Sequence, residues 1–257
     1  MDKREKSKKL NKLLITSGVI AIWLLIWQLA AALVGSEFLF PSPVKVIMRL
    51  IELAATRDFR LSCLYTIGRI ALGCVIGSAA GILLGFVTSF SKLLKAFFAP
   101  ALAVVKSTPV ASFIILLLLW LSRTGVTVTV SALLVAPILW ANVGAGIESA
   151  DSRLIECADV YSLGFWKKLR YIWVPACAPS VRAGFRSATG FAWKSGISAE
   201  VIAIPANAIG TSLYRAKLGL EYTDLFAWTL AVIILSLIIE KLLFFIIDAV
   251  RRKRNGD

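Results

Sequence analysis

The chain has 257 residues, of which 58% are hydrophobic, and its mean hydropathy is +0.81, whereas soluble domains contain about 45–50% apolar residues. The net charge of +14 does not indicate a nucleic-acid partner, because the basic residues lie between apolar runs and not on one face. The chain lacks histidine, and its four cysteines have no metal-ligand spacing, so a metal site and histidine-based catalysis are disfavoured. Composition therefore favours a polytopic membrane protein.

The first predicted element is a basic arm followed by a membrane span. Met1–Lys12 carries six Lys or Arg residues, and the apolar run Leu13–Val34 exceeds the about 20 residues that cross a bilayer. A cleaved signal peptide is the alternative, because three alanines from Ala30 resemble a cleavage region, but signal cores have only about 7–15 apolar residues. We expect a retained span, with residues 1–38 forming an N-terminal segment and residues 39–257 a core of five further spans.

The next two elements are an interfacial helix and a glycine-rich span. The prolines of the Pro41-Ser42-Pro43 step impose an extended turn, and apolar residues then recur at helical spacing over Val44–Ala55. This pattern predicts a short helix at the outer membrane interface. The second span, about Leu64–Thr88, has glycines at four-residue intervals, which let a neighbouring backbone approach closely. We assign these glycines to helix packing: Gly73, Gly77, Gly81 and Gly85.

The third span, about Phe97–Leu121, contains a lysine and a proline close together. Lys106 precedes Pro109 by three residues, and an ionisable side chain within a span is costly unless it faces a cavity, a partner or water. Lys106 therefore either lines a translocation pathway or extends to the inner interface. A fourth span is predicted over about Val126–Ile147.

The fifth span, about Ala183–Ile204, holds the other intramembrane charges. Lys194 and Glu200 are six residues apart, which places them about 120° apart around a helix, so they are poor partners for each other. Each of them either contacts a transported solute or packs against another helix, and Glu200 fits a hydrogen-bonded anchor equally well. The sixth span, about Leu225–Ala249, ends in four consecutive basic residues.

The distribution of basic residues predicts the orientation of these six spans. Segments on the side of the two termini carry 18 Lys or Arg residues, and those on the opposite side carry 7. Because short cytoplasmic segments are enriched in Lys and Arg, both termini and the loop between spans four and five are predicted to be cytoplasmic.

That loop, Arg153–Pro179, is polar and basic within an otherwise apolar half of the chain. An acidic helical start leads to a turn signal at Ser162 and Gly164. Apolar residues then recur at helical spacing from Phe165 to Trp173, and two prolines are expected to end this second helix. Two short helices joined at a glycine bend form a protrusion that can enter a groove on a partner.

The loop resembles the cytoplasmic EAA loop of ABC-importer permeases. The resemblance rests on Glu-x-Ala at Glu156 and Ala158, a small-residue turn six to eight positions later, and Pro175 nineteen positions after the glutamate. The family has Ala where Cys157 stands and Gly where Ser162 stands, with Gly164 displaced by two positions. The Pro-Ser-Pro step and its helix are similar to the nitrate, sulfonate and taurine branch of that family.

The resemblance implies an all-α, type I ABC-importer permease fold with six transmembrane helices in the bacterial inner membrane. In that family the loop docks on the ATPase subunit. Carried over to this sequence, the coupling residues are Glu156, Cys157, Ala158, Ser162, Gly164, Trp166 and Pro175.

The function implied is that of a permease subunit that imports a small anionic solute delivered by an external binding protein. Its other partners would be a cytosolic ATPase dimer, a second permease copy, most simply an identical one, and membrane lipid. The chain lacks a Gly-x-x-x-x-Gly-Lys-Ser/Thr loop, so it is not expected to be an enzyme, and ATP and Mg²⁺ would bind the partner.

Two other functions stay open at this point. An ion-coupled secondary carrier could use Lys106, Lys194 and Glu200 as a relay, although no inverted repeat is visible and a carrier needs no cytoplasmic hook. The second open function is that of a membrane anchor or assembly factor without transport. A pyrimidine precursor of thiamine is the alternative substrate.

Overall fold

The computed structural model describes the backbone of residues 3–255 and the side chains of residues 15–245. Every regular element in that part of the chain is helical, which confirms the predicted all-α class. The helices are α1 (Lys3–Val34), α2 (Pro43–Ala55), α3 (Arg57–Phe90), α4 (Lys92–Ser107), α5 (Val110–Leu117), α6 (Arg123–Glu148), α7 (Ser152–Val160), α8 (Phe165–Lys168), α9 (Val174–Ala203), α10 (Ile209–Leu218) and α11 (Tyr222–Asn255). A π-helical turn, Leu169–Trp173, joins α8 to α9.

Four described helices are long and apolar enough to cross a membrane: Ile15–Val34 within α1, α3, α6 and Tyr222–Phe245 within α11. The pair formed by α4 and α5 adds a fifth if it is one span. Helix α9, which covers the predicted fifth span, is not among these helices, because charged and polar residues interrupt its apolar character. The count of six spans stays a prediction.

The predicted third span is not one continuous helix. Helices α4 and α5 meet at an angle of 103° across Thr108 and Pro109. Thr108 is extended, with ψ of 131°, because the ring of a following proline disfavours the α conformation. Pro109 also lacks the N–H that would continue the helical hydrogen bonds. The pair therefore forms a broken span or a re-entrant segment.

The expectation that Pro175 and Pro179 end the second helix of the loop was wrong. The π-helical turn widens the backbone, and the Val174 N–H donates to the Leu169 carbonyl oxygen, five residues back. Pro175 then occupies the first turn of α9, where a missing N–H costs little. Pro179 lies inside α9, so the chain continues as helix from the loop into the fifth predicted span.

The described chain divides into two compact units. The first comprises the chain up to Phe59 together with Ser212–Val232. Within it the Arg49 guanidinium of α2 binds both carboxylate oxygens of Asp224, at 2.6 and 2.9 Å, and Phe59 stacks on Trp228 with centroids 4.9 Å apart. The first contact holds α2, and the second holds the start of α3, against the beginning of α11. The predicted division at residue 38 stays a prediction.

The second unit comprises Arg60–Thr211 and the chain from Ile233 onward. In it the four glycines of α3 lie against the backbone of α6. A methyl group at Gly73 would lie 2.5 Å from the Val128 carbonyl oxygen, and one at Gly81 would lie 2.4 Å from that of Ala136. Gly77 and Gly85 face Ala132 and Trp140 in the same register. Backbone therefore packs on backbone along three turns of both helices.

Candidate functional site

Helix α7 begins and ends with recognisable caps. The Asp151 carboxylate accepts a 2.9 Å hydrogen bond from the Arg153 N–H. At the other end, the Ser162 and Leu163 N–H groups donate to the Asp159 and Ala158 carbonyl oxygens, both at 2.9 Å. This pattern is a Schellman motif, which requires a left-handed residue at Ser162.

The bend therefore lies at Ser162, the first of the two positions of the predicted turn, and the expectation that a glycine forms it was wrong. Ser162 has φ of 51°, a conformation that glycine adopts most cheaply. Gly164 has φ of −62° and caps the N-terminus of α8. The family's glycine thus corresponds to the position that is left-handed here, and a serine occupies it.

We call residues 152–173, from α7 to the π-helical turn, the hook. Of the residues predicted to couple to a partner, Ala158 is buried, with 4% of its surface exposed. Glu156, Cys157 and Pro175 lie at the surface. Trp166 is 78% exposed. Large apolar side chains at the surface of the hook are Leu154, Val160, Tyr161, Phe165, Trp166 and Tyr171. Exposed large apolar residues at this density in a short polar segment are typical of a docking surface.

Aromatic contacts attach the hook to α3. The centroid of the Phe90 ring, at the end of α3, lies 4.6 Å from that of Trp173 and 5.6 Å from that of Phe165. The Phe165 and Trp173 centroids are 5.5 Å apart. Edge-on aromatic contacts of this kind add to the free energy of apolar burial. Inside the hook, Lys168 forms an ion pair with Asp159. Sequence reasoning missed Phe90, because periodicity within one helix does not reveal which ring a distant segment contacts.

Glu200 lies near the other end of α9 and is fully buried, with 0% of its side chain exposed. Its carboxylate accepts hydrogen bonds from Thr66 Oγ1 at 2.8 and 3.0 Å and from the Gly210 N–H at 3.2 Å. The Arg69 guanidinium forms a 3.2 Å ion pair with it. Helices α3, α9 and α10 therefore meet at this one carboxylate, which has the geometry of a structural anchor.

The same side chains fix the segment between α9 and α10. Thr66 Oγ1 also accepts a 3.1 Å hydrogen bond from the Ile209 N–H, and Arg69 donates to the carbonyl oxygens of Ala206 at 2.8 Å and Asn207 at 3.2 Å. Sequence reasoning missed Thr66 and Arg69 as partners of Glu200. A basic residue in the first turns of a predicted span and a carboxylate in another span were the available signals.

Lys106 and Lys194 do not join Glu200. Both lysine side chains are exposed, and no carboxylate lies within 4.0 Å of either of them among the described side chains. Lys106 lies in the last turn of α4, where a positive charge interacts favourably with the helix dipole. The three residues of the predicted relay are thus not brought together. Among the described residues, no group of three His, Cys, Asp or Glu side chains fits a metal ion.

Comparison with known proteins gives one family match. The profile described as "Binding-protein-dependent transport system inner membrane component" matches residues 77–256. That range includes the hook, α9, Lys194 and Glu200.

Two relatives agree with this match, and one solved structure has a similar fold. The chain is 26% identical to the putative aliphatic sulfonates transport permease protein of Bacillus subtilis over 87% of this chain and 80% of that protein. It is 28% identical to the nitrate import permease protein of Synechococcus elongatus over 77% of this chain and 74% of that protein. A crystal structure of an amino acid ABC transporter with histidines is 16% identical and superposes with a TM-score of 0.59 over 74% of this chain and 91% of that chain.

Proposed function

This chain belongs to the family of binding-protein-dependent transport inner membrane components and is a permease subunit of an ABC importer; from that premise we propose its coupling surface, its partners and its solute class. Such permeases work with an ATPase and a substrate-binding protein and are not ATPases themselves. We place ATP and Mg²⁺ in a separate cytosolic ATPase dimer, both termini in the cytoplasm, and two identical copies of this chain in the transporter.

The observation that carries the coupling proposal is the hook. Its outer surface is rich in exposed aromatic residues, with Trp166 at 78% exposure, and aromatic residues dominate the binding energy of protein interfaces. Its inner surface is fixed to Phe90 of α3 by ring contacts. A partner that moves the hook therefore also moves α3 and α9, which are the helices that carry the glycine stripe and Glu200.

Energy enters the transport cycle through this attachment. ATP binds the closed state of the ATPase dimer better than the open state, and only such a difference in affinity shifts a conformational equilibrium. When the dimer closes, the hook moves with it. The close packing of α3 on α6 makes these two helices move together, because their backbones are in contact along the glycine stripe.

The test compares two tryptophans of nearly equal exposure. Trp166 is 78% exposed and Trp120, between α5 and α6, is 74% exposed. With a tagged full-length chain and its cytosolic ATPase coexpressed, Trp166→Ala is expected to reduce ATPase recovery at least tenfold, because interface aromatics contribute about 2 kcal/mol or more. Trp120→Ala is expected to recover the ATPase as the unchanged chain does.

If both variants recover as much ATPase as the unchanged chain does, the hook is not part of the coupling interface. Recovery lost equally in both would show a defect in folding, which size-exclusion elution of the detergent-solubilised chain reports separately. Failure of any ATPase to copurify with the unchanged chain contradicts the ATPase partnership itself.

For the solute, we propose a small anion such as an aliphatic sulfonate, taurine or nitrate. The relatives named for sulfonate and nitrate transport support this class, and an exposed lysine without a carboxylate partner is suited to an anion. Lys194 on α9 is the first candidate, and Lys106 beside the break between α4 and α5 is the second. Glu200 is excluded from this role in the proposal, because its oxygens already bind Thr66, Arg69 and Gly210.

Uptake by proteoliposomes that contain the permease, its ATPase and its binding protein tests the solute class. Lys194→Met is expected to lower uptake of a radiolabelled sulfonate about tenfold, since one charged hydrogen bond contributes about 1.5–3 kcal/mol. Lys194→Arg is expected to retain most of the uptake, and ATPase copurification is expected to be normal in both.

Unchanged uptake in Lys194→Met would remove Lys194 from the pathway. Uptake of a thiamine pyrimidine precursor in place of any anion would overturn the solute class while leaving the permease assignment intact. A secondary carrier would transport without ATP, so uptake that follows an ion gradient alone contradicts the ATP-driven mechanism.

A further inference from the structure

We propose that an apolar groove in the second unit binds one acyl chain of a glycerophospholipid with a phosphoethanolamine headgroup. The groove has a volume of about 360 Å³ and lies between α3, α9 and α11, which is within the size range of ligand pockets. This inference goes beyond transport and does not depend on the identity of the solute.

The lining of the groove follows the helical repeat on all three helices. Its wall on α3 runs from Ile67 to Ser78, about 16 Å at the helical rise of 1.5 Å per residue. Trp193, Thr189 and Phe185 continue it on α9, and Ile239 and Leu243 on α11. The groove is therefore a narrow apolar channel parallel to the spans, a shape that suits a hydrocarbon chain.

One end of the groove is charged. A smaller cavity shares Phe185, Thr189 and Leu243 with it and is also lined by Arg186 and Glu240. The Arg186 guanidinium lies 4.0 Å from the centroid of the Phe244 ring, and neither Arg186 nor Glu240 has an ion-pair partner within 4.0 Å among the described side chains. A cation and an anion that do not bind each other complement a headgroup carrying a phosphate and an ammonium group.

The depth of these charges agrees with a headgroup. About 20 helical residues cross the apolar core of a bilayer, and Arg186 lies 17 residues before the end of α9 at Ala203. Glu240 lies 18 residues after the start of α11 at Tyr222. Both charges are therefore close to one boundary of the membrane, on the side of the hook.

A buried hydroxyl supplies the third point of recognition. Ser78 is 6% exposed and lines the groove, and its Oγ has no hydrogen-bond partner among residues 15–245. Helices α3 and α9 are antiparallel, since Ile70 lies beside Gly196 and Thr66 beside Glu200. Continuing this register places Ser78 at about the level of Thr189, one turn from Arg186. A hydroxyl donor between the headgroup charges and the apolar channel is placed to bind the ester carbonyl of a glycerophospholipid.

Native mass spectrometry of the full-length chain in mild detergent tests the proposal, with equal amounts of phosphatidylethanolamine and phosphatidylglycerol added. The unchanged chain is expected to retain phosphatidylethanolamine at least tenfold over phosphatidylglycerol. Arg186→Gln is expected to lower that retention about tenfold, because a phosphate loses its charged donor. Glu240→Gln is expected to abolish the preference between the two lipids. Equal retention of both lipids by the unchanged chain overturns the headgroup assignment.

A second pair of variants tests the channel itself. Ala71→Trp fills the groove and is expected to abolish retention of either lipid, whereas Leu72→Trp, next to it on α3 and outside the groove, is expected to retain phosphatidylethanolamine. If Ala71→Trp does not elute as a folded species, a phosphatidylethanolamine with a photoreactive acyl chain is used with the unchanged chain. Its label is expected on peptides containing Ile67–Ser78 or Phe185–Trp193. Label spread evenly over the spans contradicts the proposal.

Discussion

The two ends of α9 differ in how far their functional side chains are exposed. At its beginning, the hook leaves Trp166 and its aromatic neighbours exposed, and only its inner surface is packed, through Phe165 and Trp173 on Phe90. At its end, the Glu200 carboxylate is fully buried, and Thr66, Arg69 and Gly210 all donate to it. One end presents a surface that the described part of the chain leaves exposed, and at the other end the carboxylate has its hydrogen-bond donors within this chain.

This difference separates the residues that can couple from those that can only hold the fold. A buried charge with all its hydrogen bonds made inside one chain has no capacity left for a solute, and removing its partner is costly. An exposed tryptophan contributes little until a second protein buries it. Variants at the two ends of α9 are therefore expected to fail by different routes, one through stability and the other through assembly.

The largest effect is expected for Glu200→Ala. The substitution removes the only ion-pair partner that Arg69 has among the described side chains and the carboxylate acceptor of the Gly210 N–H. Breaking a buried ion pair in this way costs about 3–5 kcal/mol. We expect a large drop in the thermal midpoint of the purified chain, measured in detergent. Ser198→Ala, an exposed position on the same helix, serves as the control and is expected to leave the midpoint unchanged. A Glu200→Ala chain as stable as the control would show that the carboxylate is not an anchor.

A smaller loss is expected for Gly81→Ala. Its new methyl group would lie 2.4 Å from the Ala136 carbonyl oxygen, and forced separation of packed helices costs about 1–3 kcal/mol. Gly68 lies on the same helix with no atom within 4 Å of an added methyl group. Gly68→Ala is therefore expected to raise stability by about 0.5–1 kcal/mol. Equal midpoints for the two variants would contradict close packing of α3 on α6.

A small gain is also expected in the hook. Ser162→Gly removes the cost of a left-handed conformation in a non-glycine residue, about 1 kcal/mol. Gly164→Ala is expected to be neutral, because φ there is −62° and an added methyl group meets nothing within 4 Å. Limited proteolysis of the hook, compared between the two variants, reports the difference. Faster cleavage of Ser162→Gly than of the unchanged chain would contradict the Schellman assignment.

The sequence was sufficient to predict structure where the pattern is local or repeats along one helix. Apolar runs predict the long helices α1, α3, α6 and α11, and the four-residue glycine interval predicts a face for close packing, which the structure places against α6. The order of residues in the loop was enough to identify the family, because a short motif with fixed spacing does not depend on distant contacts.

The sequence was insufficient where the outcome depends on contacts or on one backbone angle. Serine and glycine both tolerate a turn, so the left-handed residue could not be assigned between Ser162 and Gly164. Pro175 predicts a helix end by local rules, yet a π-helical turn accommodates it. The partners of Glu200 lie about 130 residues earlier in the chain, at Thr66 and Arg69, and no periodicity within α9 identifies them.

Labelling of Cys157 with a membrane-impermeant maleimide tests most directly whether the hook is cytoplasmic and held by the ATPase. Of the four cysteines, Cys157 alone is exposed, since Cys63 and Cys177 are buried and Cys74 is partly buried. We predict that Cys157 is labelled in inside-out vesicles but not in intact cells, and that a bound ATPase protects it. Labelling of Cys157 from outside intact cells, or labelling that the ATPase does not change, would contradict a cytoplasmic hook held by the ATPase.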